Sequence, residues 1–286
     1  MLRPIVFSPI VKGGGYWSLI SEGWILNILV IGDIVGRPGR RAVKALLPAV
    51  QQQYQIDFVI ANAENASGGR GLTGDVMEEL LFMGIDVLTM GNHVWDNKDI
   101  LRFIDDEPRL VRPLNYPGPC PGQGYHVYTA GFNTRIAVIN ASGRVFLPPL
   151  DCPFIAVDDA LADIKDQADI IIVDFHAEAT SEKVAFGYYF DGRVQAVLGT
   201  HTHIQTSDER ILPQGTAYIT DLGMTGPYES VLGMKKEQVL QKFLTGRPVR
   251  LEVAGGKVQL EGVVLTLDDD SHQVGKIMRI SKILSE

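Results

Sequence analysis

An α/β fold with buried strands is what this sequence predicts, and three observations carry the prediction. Short apolar runs recur, such as Asn27-Ile28-Leu29-Val30-Ile31 and Ile170-Ile171-Ile172-Val173, too uniformly apolar to leave one face in water. Between several of them apolar residues return at helical spacing, the alternation that builds layered α/β domains. Five of the runs stop at a small polar cluster, and in open α/β sheets ligands bind beyond the carboxyl ends of the strands.

Taken in order, residues 1–26 carry Arg3 and Lys12 around a short apolar run, without an apolar stretch leading into a small-residue cleavage site. They read as an N-terminal extension outside the fold, followed by one domain over 27–286. The first strand ends at Gly32-Asp33, and Val43, Leu46, Leu47 and Val50 mark the helix that follows. Phe58-Val59-Ile60 is a second strand, ending at Asn62-Ala63-Glu64-Asn65. Thr73 is placed to cap a helix running to about Met83, with Asp75 in its first turn. Asp86–Thr89 is a third strand, ending at Gly91-Asn92-His93. Pro-rich connections at 113–124 and 147–153 flank a strand at Arg135–Ile139, and a helix over 157–167 leads into the strand that ends at His176. Val194–Leu198 ends at His201-Thr202-His203. In the tail, Val249–Val253 and Lys257–Leu265 alternate around Ala254-Gly255-Gly256 as a hairpin would. Asp268-Asp269-Asp270 reads as a solvated turn.

Bulk properties exclude several functions. The formal net charge of −8 argues against a protein that grips a nucleic-acid backbone through lysines and arginines, so no stable nucleic-acid complex is expected. A small anion held by metal ions is compatible with that charge. No apolar run approaches the roughly 20 residues that span a bilayer. The two cysteines, Cys120 and Cys152, form no CxxC pair and read as free thiols of a reducing cytoplasm. A homo-oligomer is left open.

The polar clusters bring Asp33, Glu64-Asn65, Asn92-His93, His176 and His201-x-His203 to the strand ends. Each alone has a plainer reading: a turn-forming Asp, a solvated loop, a hydrogen-bonded core histidine. Together they gather four of the chain's six histidines at one edge. Seven or eight donors exceed a structural zinc site and suit two metals. Oxygen and imidazole donors without thiolate favour iron, manganese, zinc or cobalt. Two ions about 3.5–4 Å apart hold and deprotonate a water and clamp a phosphoryl group for in-line attack. The bridge needs a carboxylate, for which Glu64 is the natural candidate. His93, beside Asn92, is placed to protonate a leaving alkoxide.

The segments GDIVG (32–36), NAENASGGRGLT (62–73), GNHVWD (91–96), FHAEATSEK (175–183), GTHTHIQT (199–206) and DLGMTGPYESVLG (221–233) resemble the calcineurin-like metallophosphoesterase superfamily, and within it the YmdB-type subfamily. The resemblance runs in order from about Asn27 to about Ile283. It implies a four-layer α/β/β/α sandwich carrying a dinuclear metal centre. It also implies hydrolysis of 2′,3′- or 3′,5′-cyclic nucleotides by a metal-bridging hydroxide. Carried over, Asp33 and His203 serve the first metal, Glu64 bridges, Asn92, His176 and His201 serve the second, and His93 is the general acid. Two divalent ions per chain are implied, iron or manganese foremost, with zinc, cobalt or magnesium as further fits. The superfamily's Asp-x-His motif is altered here: Ile34-Val35 follows Asp33, and Asn65 stands in for the missing histidine. Rival readings are a phosphomonoesterase or protein phosphatase on the same metals, and an RNA-associated regulatory protein with weak activity. Arg70 in the Gly68–Gly71 loop is a candidate phosphate contact or simply part of a surface loop.

Overall fold

The structure, a computed structural model, describes residues 25–131, 133–268 and 270–284. Residues 1–24 of the expected extension and Asp269 of the acidic turn lie outside the described residues. Ile25 and Leu26, read from the sequence as extension, are part of the fold, because they pair with Asp268 and Leu267 and Leu26 is buried.

Two mixed sheets contain all the named strands. In the first, β1 (Ile25–Ile31) lies between β3 (Phe58–Asn62), parallel to it, and β13 (Val258–Asp268), antiparallel. Beyond β3 come β4 (Val87–Thr89) and β5 (Leu110–Val111), both parallel. On the other side, β12 (Met224–Pro227) joins β13 to the two-residue β2 (Asp33–Ile34), and β14 (Val274–Leu284) pairs along β13. The second sheet runs in the order β10 (Arg210–Ile211), β11 (Ala217–Ile219), β9 (Ala196–Thr200), β8 (Ile170–His176), β7 (Thr134–Ser142) and β6 (Tyr125–Ala130). Its central β7, β8 and β9 are parallel.

Side chains alternate across a strand, and both faces of these strands are covered. From β1, Ile28 and Val30 enter a core shared by both sheets. Ile60 of β3 joins them there, with Val138, Ile172 and Leu198 from β7, β8 and β9. The opposite face of β1, Leu29 and Ile31, packs under α1 (Gly36–Tyr54) through Val43, Leu47 and Val50, and α2 (Gly74–Phe82) adds Met77 and Leu80. On the far side, Val173 and Phe175 of β8 meet Val157 and Leu161 of α3 (Pro153–Ile164) and Phe186 of α4 (Thr180–Tyr189). This double coverage is why the strands read as continuous apolar runs rather than alternating ones.

Three local expectations are corrected. The tail hairpin is β13–β14, turning at 268–273, not 249–265. β13 is already bordered by β14 on one edge and by β12 and β1 on the other, so 249–253 finds no ladder and Val253 makes only a single bridge with Met234. Thr73 occupies the cap position of α2 but its hydroxyl does not cap; the Asp99 carboxylate accepts the Gly74 N–H instead. The helix after 153 stops at Ile164, short of 167.

Candidate metal centre

The carboxyl ends of β1, β3, β4, β8 and β9 deliver the predicted residues to one place. Asp33 follows β1, Glu64 and Asn65 follow β3, Asn92 and His93 follow β4, His176 ends β8, and His201 and His203 follow β9. Two glycines make the approach possible. A Cβ on Gly32 would lie 2.2 Å from the Gly223 carbonyl oxygen, and one on Gly91 would lie 2.4 Å from both Glu64 Oε2 and His176 Nε2.

At the centre is the buried Glu64 carboxylate. Its Oε1 lies 3.2 Å from His176 Nε2 and 3.4 Å from His93 Nδ1, and its Oε2 accepts the His93 N–H at 2.8 Å. Around His176 Nε2 stand Asn92 Oδ1 at 2.9 Å and His201 Nδ1 at 3.0 Å. Glu64, His176 and His201 each offer one donor atom, all within 4.8 Å of one another. On the other side, Asp33 Oδ1 lies 3.8 Å from His203 Nε2 and is buried with no hydrogen-bond partner. A buried carboxylate oxygen left unpaired is costly, and a cation would satisfy it.

The outward nitrogen of each of these three imidazoles is tied to a protein oxygen. Thr200 Oγ1 gives its proton to Asp174 Oδ1 at 2.6 Å, so it accepts from His176 Nδ1 at 2.9 Å. The Glu178 carboxylate accepts from His201 Nε2 at 2.9 Å, and the Leu232 carbonyl accepts from His203 Nδ1 at 3.2 Å. In the neutral rings each partner fixes the tautomer whose inward nitrogen carries the lone pair, the outer arrangement typical of metal-bound histidine.

Asn65 is brought into the cluster in a different pose from the one expected. Its carbonyl oxygen accepts from His93 Nδ1 at 2.7 Å, and its amide nitrogen faces Glu64 and His203, each at 3.2 Å. It therefore orients His93, whose Nε2 is left open, and would ligate only after a half-turn of the amide. Arg70 is mostly exposed, its guanidinium 3.9 Å from the Asp96 carboxylate.

The electrostatics follow from packing acids and imidazoles in a buried space. Burial drives Asp33 up to about 6 against the pull of His203 and His176. Burial also opposes charge on Glu64, yet His176 and His93 outweigh it and hold that carboxyl down at about 2. For His176, burial favours the neutral ring, but Glu64, Asp33 and Asp174 push it up to about 9. Burial and the neighbouring His176 hold His201 down at about 3, and burial lowers His93 despite Glu64. A proton on His176 thus stands where a divalent ion would bind, and metal uptake must displace it. At about pH 7.5, adding a divalent ion to chelator-treated protein should release about one proton from His176. Apparent affinity should climb as pH rises toward the His176 value of about 9. Calorimetry in buffers of different ionisation enthalpy measures this. A heat independent of buffer would refute it.

Sequence reasoning missed the supporting residues. Lys183 Nζ, fully buried, donates to the Thr200 carbonyl and to Asp221 Oδ2, both at 2.7 Å. Asp221 Oδ2 in turn accepts the Thr202 N–H at 3.0 Å. A signal existed: Lys183 shares the buried face of α4 with Phe186 and Gly187, and a lysine on an apolar helical stripe needs a buried partner. His126 and His272 stay outside the cluster, as expected.

Comparisons with known proteins identify the family. The family described as "YmdB-like protein" matches residues 29–280. A Bacillus subtilis (strain 168) protein named 2′,3′-cyclic-nucleotide 2′-phosphodiesterase is 52% identical over 255 residues, 89% of this chain and 96% of that one. A crystal structure of a hypothetical protein from Thermus thermophilus superposes with TM-score 0.84 at 42% identity, covering 90% of this chain and 99% of that one. One of a novel phosphatase from Mycoplasma pneumoniae gives TM-score 0.86 at 39% identity, covering 92% and 95%. With most of its length matched, the chain belongs to the YmdB-like protein family.

Proposed function

We propose that this chain is a metal-dependent phosphodiesterase acting on 2′,3′-cyclic nucleotides, with 3′,5′-cyclic nucleotides as a second substrate class. The observation that carries the reading is the set of three imidazoles whose outward nitrogens are tied to Thr200, Glu178 and Leu232, leaving lone pairs aimed at Asp33, Glu64 and Asn92. The name of the Bacillus subtilis relative supports the substrate class. The three packed cores of this chain support a four-layer α/β/β/α sandwich forming a single domain from β1 onward.

In this reading Asp33 and His203 would hold one ion, Asn92, His176 and His201 would hold a second, Glu64 would serve both, and Asn65 would complete the first site once its amide turns away from His93. Oxygen and nitrogen donors suit manganese or iron first, and zinc, cobalt or magnesium next. Bound ions would supply Lewis-acid polarisation of the phosphoryl group and acidify an attacking water. The chain's own residues do the rest. Thr200, Glu178 and Leu232 hold the rings in place, and Glu64 accepts the His93 N–H and so fixes that loop. His93, its backbone N–H held by Glu64, would present Nε2 of its protonated ring to deliver a proton to the leaving alkoxide. Cyclic nucleotides are small, so no broad basic face is needed. Cys120 and Cys152 are free thiols, which supports a reducing, cytoplasmic setting. No described helix is long and apolar enough to cross a membrane.

Elemental analysis together with a cyclic-nucleotide panel tests the reading. About two ions per chain and a preferred ring geometry are expected; monoester hydrolysis dominating at equal metal content would favour the phosphatase alternative. His93→Ala should keep its metals and lose about 100-fold in turnover for alkoxide leaving groups, with a smaller loss for p-nitrophenolate. Loss of metal from that variant would make His93 a ligand instead.

A further inference from the structure

A cavity of about 230 Å³ adjoins the candidate metal centre, and His203 belongs to both. On one side its Nε2 faces Asp33 and Asn65. On the other, the residue lines the cavity with Ile204, Tyr228, Leu232, Gln259 and Glu261. We propose that this cavity is the nucleobase subsite of the phosphodiesterase, with the Tyr228 ring as its packing surface. The proposal rests on the reading of the neighbouring centre as a site for cyclic nucleotides.

Three properties favour a base over any other occupant. The most exposed lining side chains are apolar: Ile204 is 62% exposed, Tyr228 49% and Leu232 45%. Such side chains contribute nothing to holding metal ions, and exposed apolar surface beside a polar site marks a binding face. Flat heteroaromatic rings pack on faces of this kind, aromatic ones above all. Next, among the described residues no lysine or arginine lines the cavity, and Glu261 does. A second phosphate is disfavoured there, while the N–H groups of a base edge find acceptors. Gln259 supplies another, because its amide nitrogen is used on the Met224 carbonyl at 3.3 Å. Last, size and place agree. The volume suits one ring system rather than the roughly 300–1,000 Å³ that encloses a whole drug-sized ligand. In a nucleoside 2′,3′-cyclic phosphate a single ribose separates base from phosphate, as the single residue His203 separates the cavity from the metal centre. The stretch 221–233, prominent in the sequence, thereby gains a role: it supplies Tyr228 and Leu232, and the Leu232 carbonyl also orients His203.

The test compares 2′,3′-cyclic AMP with glycerol 1,2-cyclic phosphate, which has the same strained five-membered diester and no base, on manganese-loaded full-length protein. The readout is the ratio of kcat/KM for the nucleotide to that for the glycerol compound. Tyr228→Ala should lower the ratio about tenfold, through KM for the nucleotide. Tyr228→Phe, which keeps the ring, should hold it near the wild-type value, and Ile204→Ala should lower it by a smaller factor. A ratio unchanged in both alanine variants, or a wild-type ratio near one, overturns the subsite while leaving the diesterase reading standing. A wild-type chain that hydrolyses neither compound overturns the functional reading itself, and the subsite with it.

Discussion

Glu64→Gln should strip the protein of at least one metal ion and cut phosphodiester hydrolysis by on the order of 1,000-fold, corresponding to about 4 kcal/mol of lost transition-state stabilisation. The substitution preserves volume and the acceptor for the His93 N–H, so the fold should survive it. What it removes is the charge. Among the described residues, Glu64 is the one carboxylate with contacts to His176, His93 and Asn65 at once, and those imidazoles hold it ionised far below neutral pH. A neutral amide in its place offers one acceptor oxygen where the carboxylate offers two, and donates hydrogens toward His176 Nε2. Circular dichroism checks the fold, elemental analysis the metal content, and hydrolysis of 2′,3′-cyclic AMP at saturating manganese the rate. Full metal content with activity within about tenfold of the wild type would refute the central position given to Glu64.

The candidate site was legible in the sequence because each member follows a buried strand, and strand-end position is written in local pattern. Asp33, Glu64, Asn92, His176, His201 and His203 were all found in that way and lie together. Asn65 was legible as a member but not in its pose, since which way an amide turns depends on His93 and His203 brought from other strands. The supporting residues were least legible. Thr200 and Asp174 look like ordinary strand residues until β8 and β9 are paired, at which point Thr200 bridges Asp174 and His176. The strands β1, β3, β4, β7, β8 and β9 were read correctly in type because coverage on both faces demands continuous apolar sequence, whereas β2, β5, β6, β10, β11, β12 and β14 were not read. The tail failed for the opposite reason. Alternation at 249–253 is a local signal, and the partner that decides a hairpin is not local: β13 takes β14, which lies after the acidic turn.

Lys183→Met should destabilise the fold by about 3–5 kcal/mol, the cost of leaving a buried carboxylate without its partner. Lys183 and Asp221 are both fully buried and 2.7 Å apart. Burying such a pair is not by itself a source of stability, so its value lies in what else it holds. Lys183 also reaches the Thr200 carbonyl, and Asp221 takes the N–H groups of Thr202 and Gly223. Between these anchors, His201 and His203 adopt φ of 104° and 64°, backbone conformations that cost non-glycine residues roughly 1–3 kcal/mol each. The pair therefore clamps a strained segment that carries two of the candidate ligands. The double variant Lys183→Met/Asp221→Leu separates clamp from charge. If only the unpaired charge mattered, the double variant would return close to wild-type stability. Because Thr202 and Gly223 then lose their acceptor, it should recover only part, and its folded fraction should bind manganese more weakly than wild type. Denaturant unfolding of the metal-free proteins gives the first comparison, and manganese titration of the folded variants gives the second. A single variant within about 1 kcal/mol of wild type, or a double variant with wild-type stability and metal affinity, would show that the clamp is dispensable.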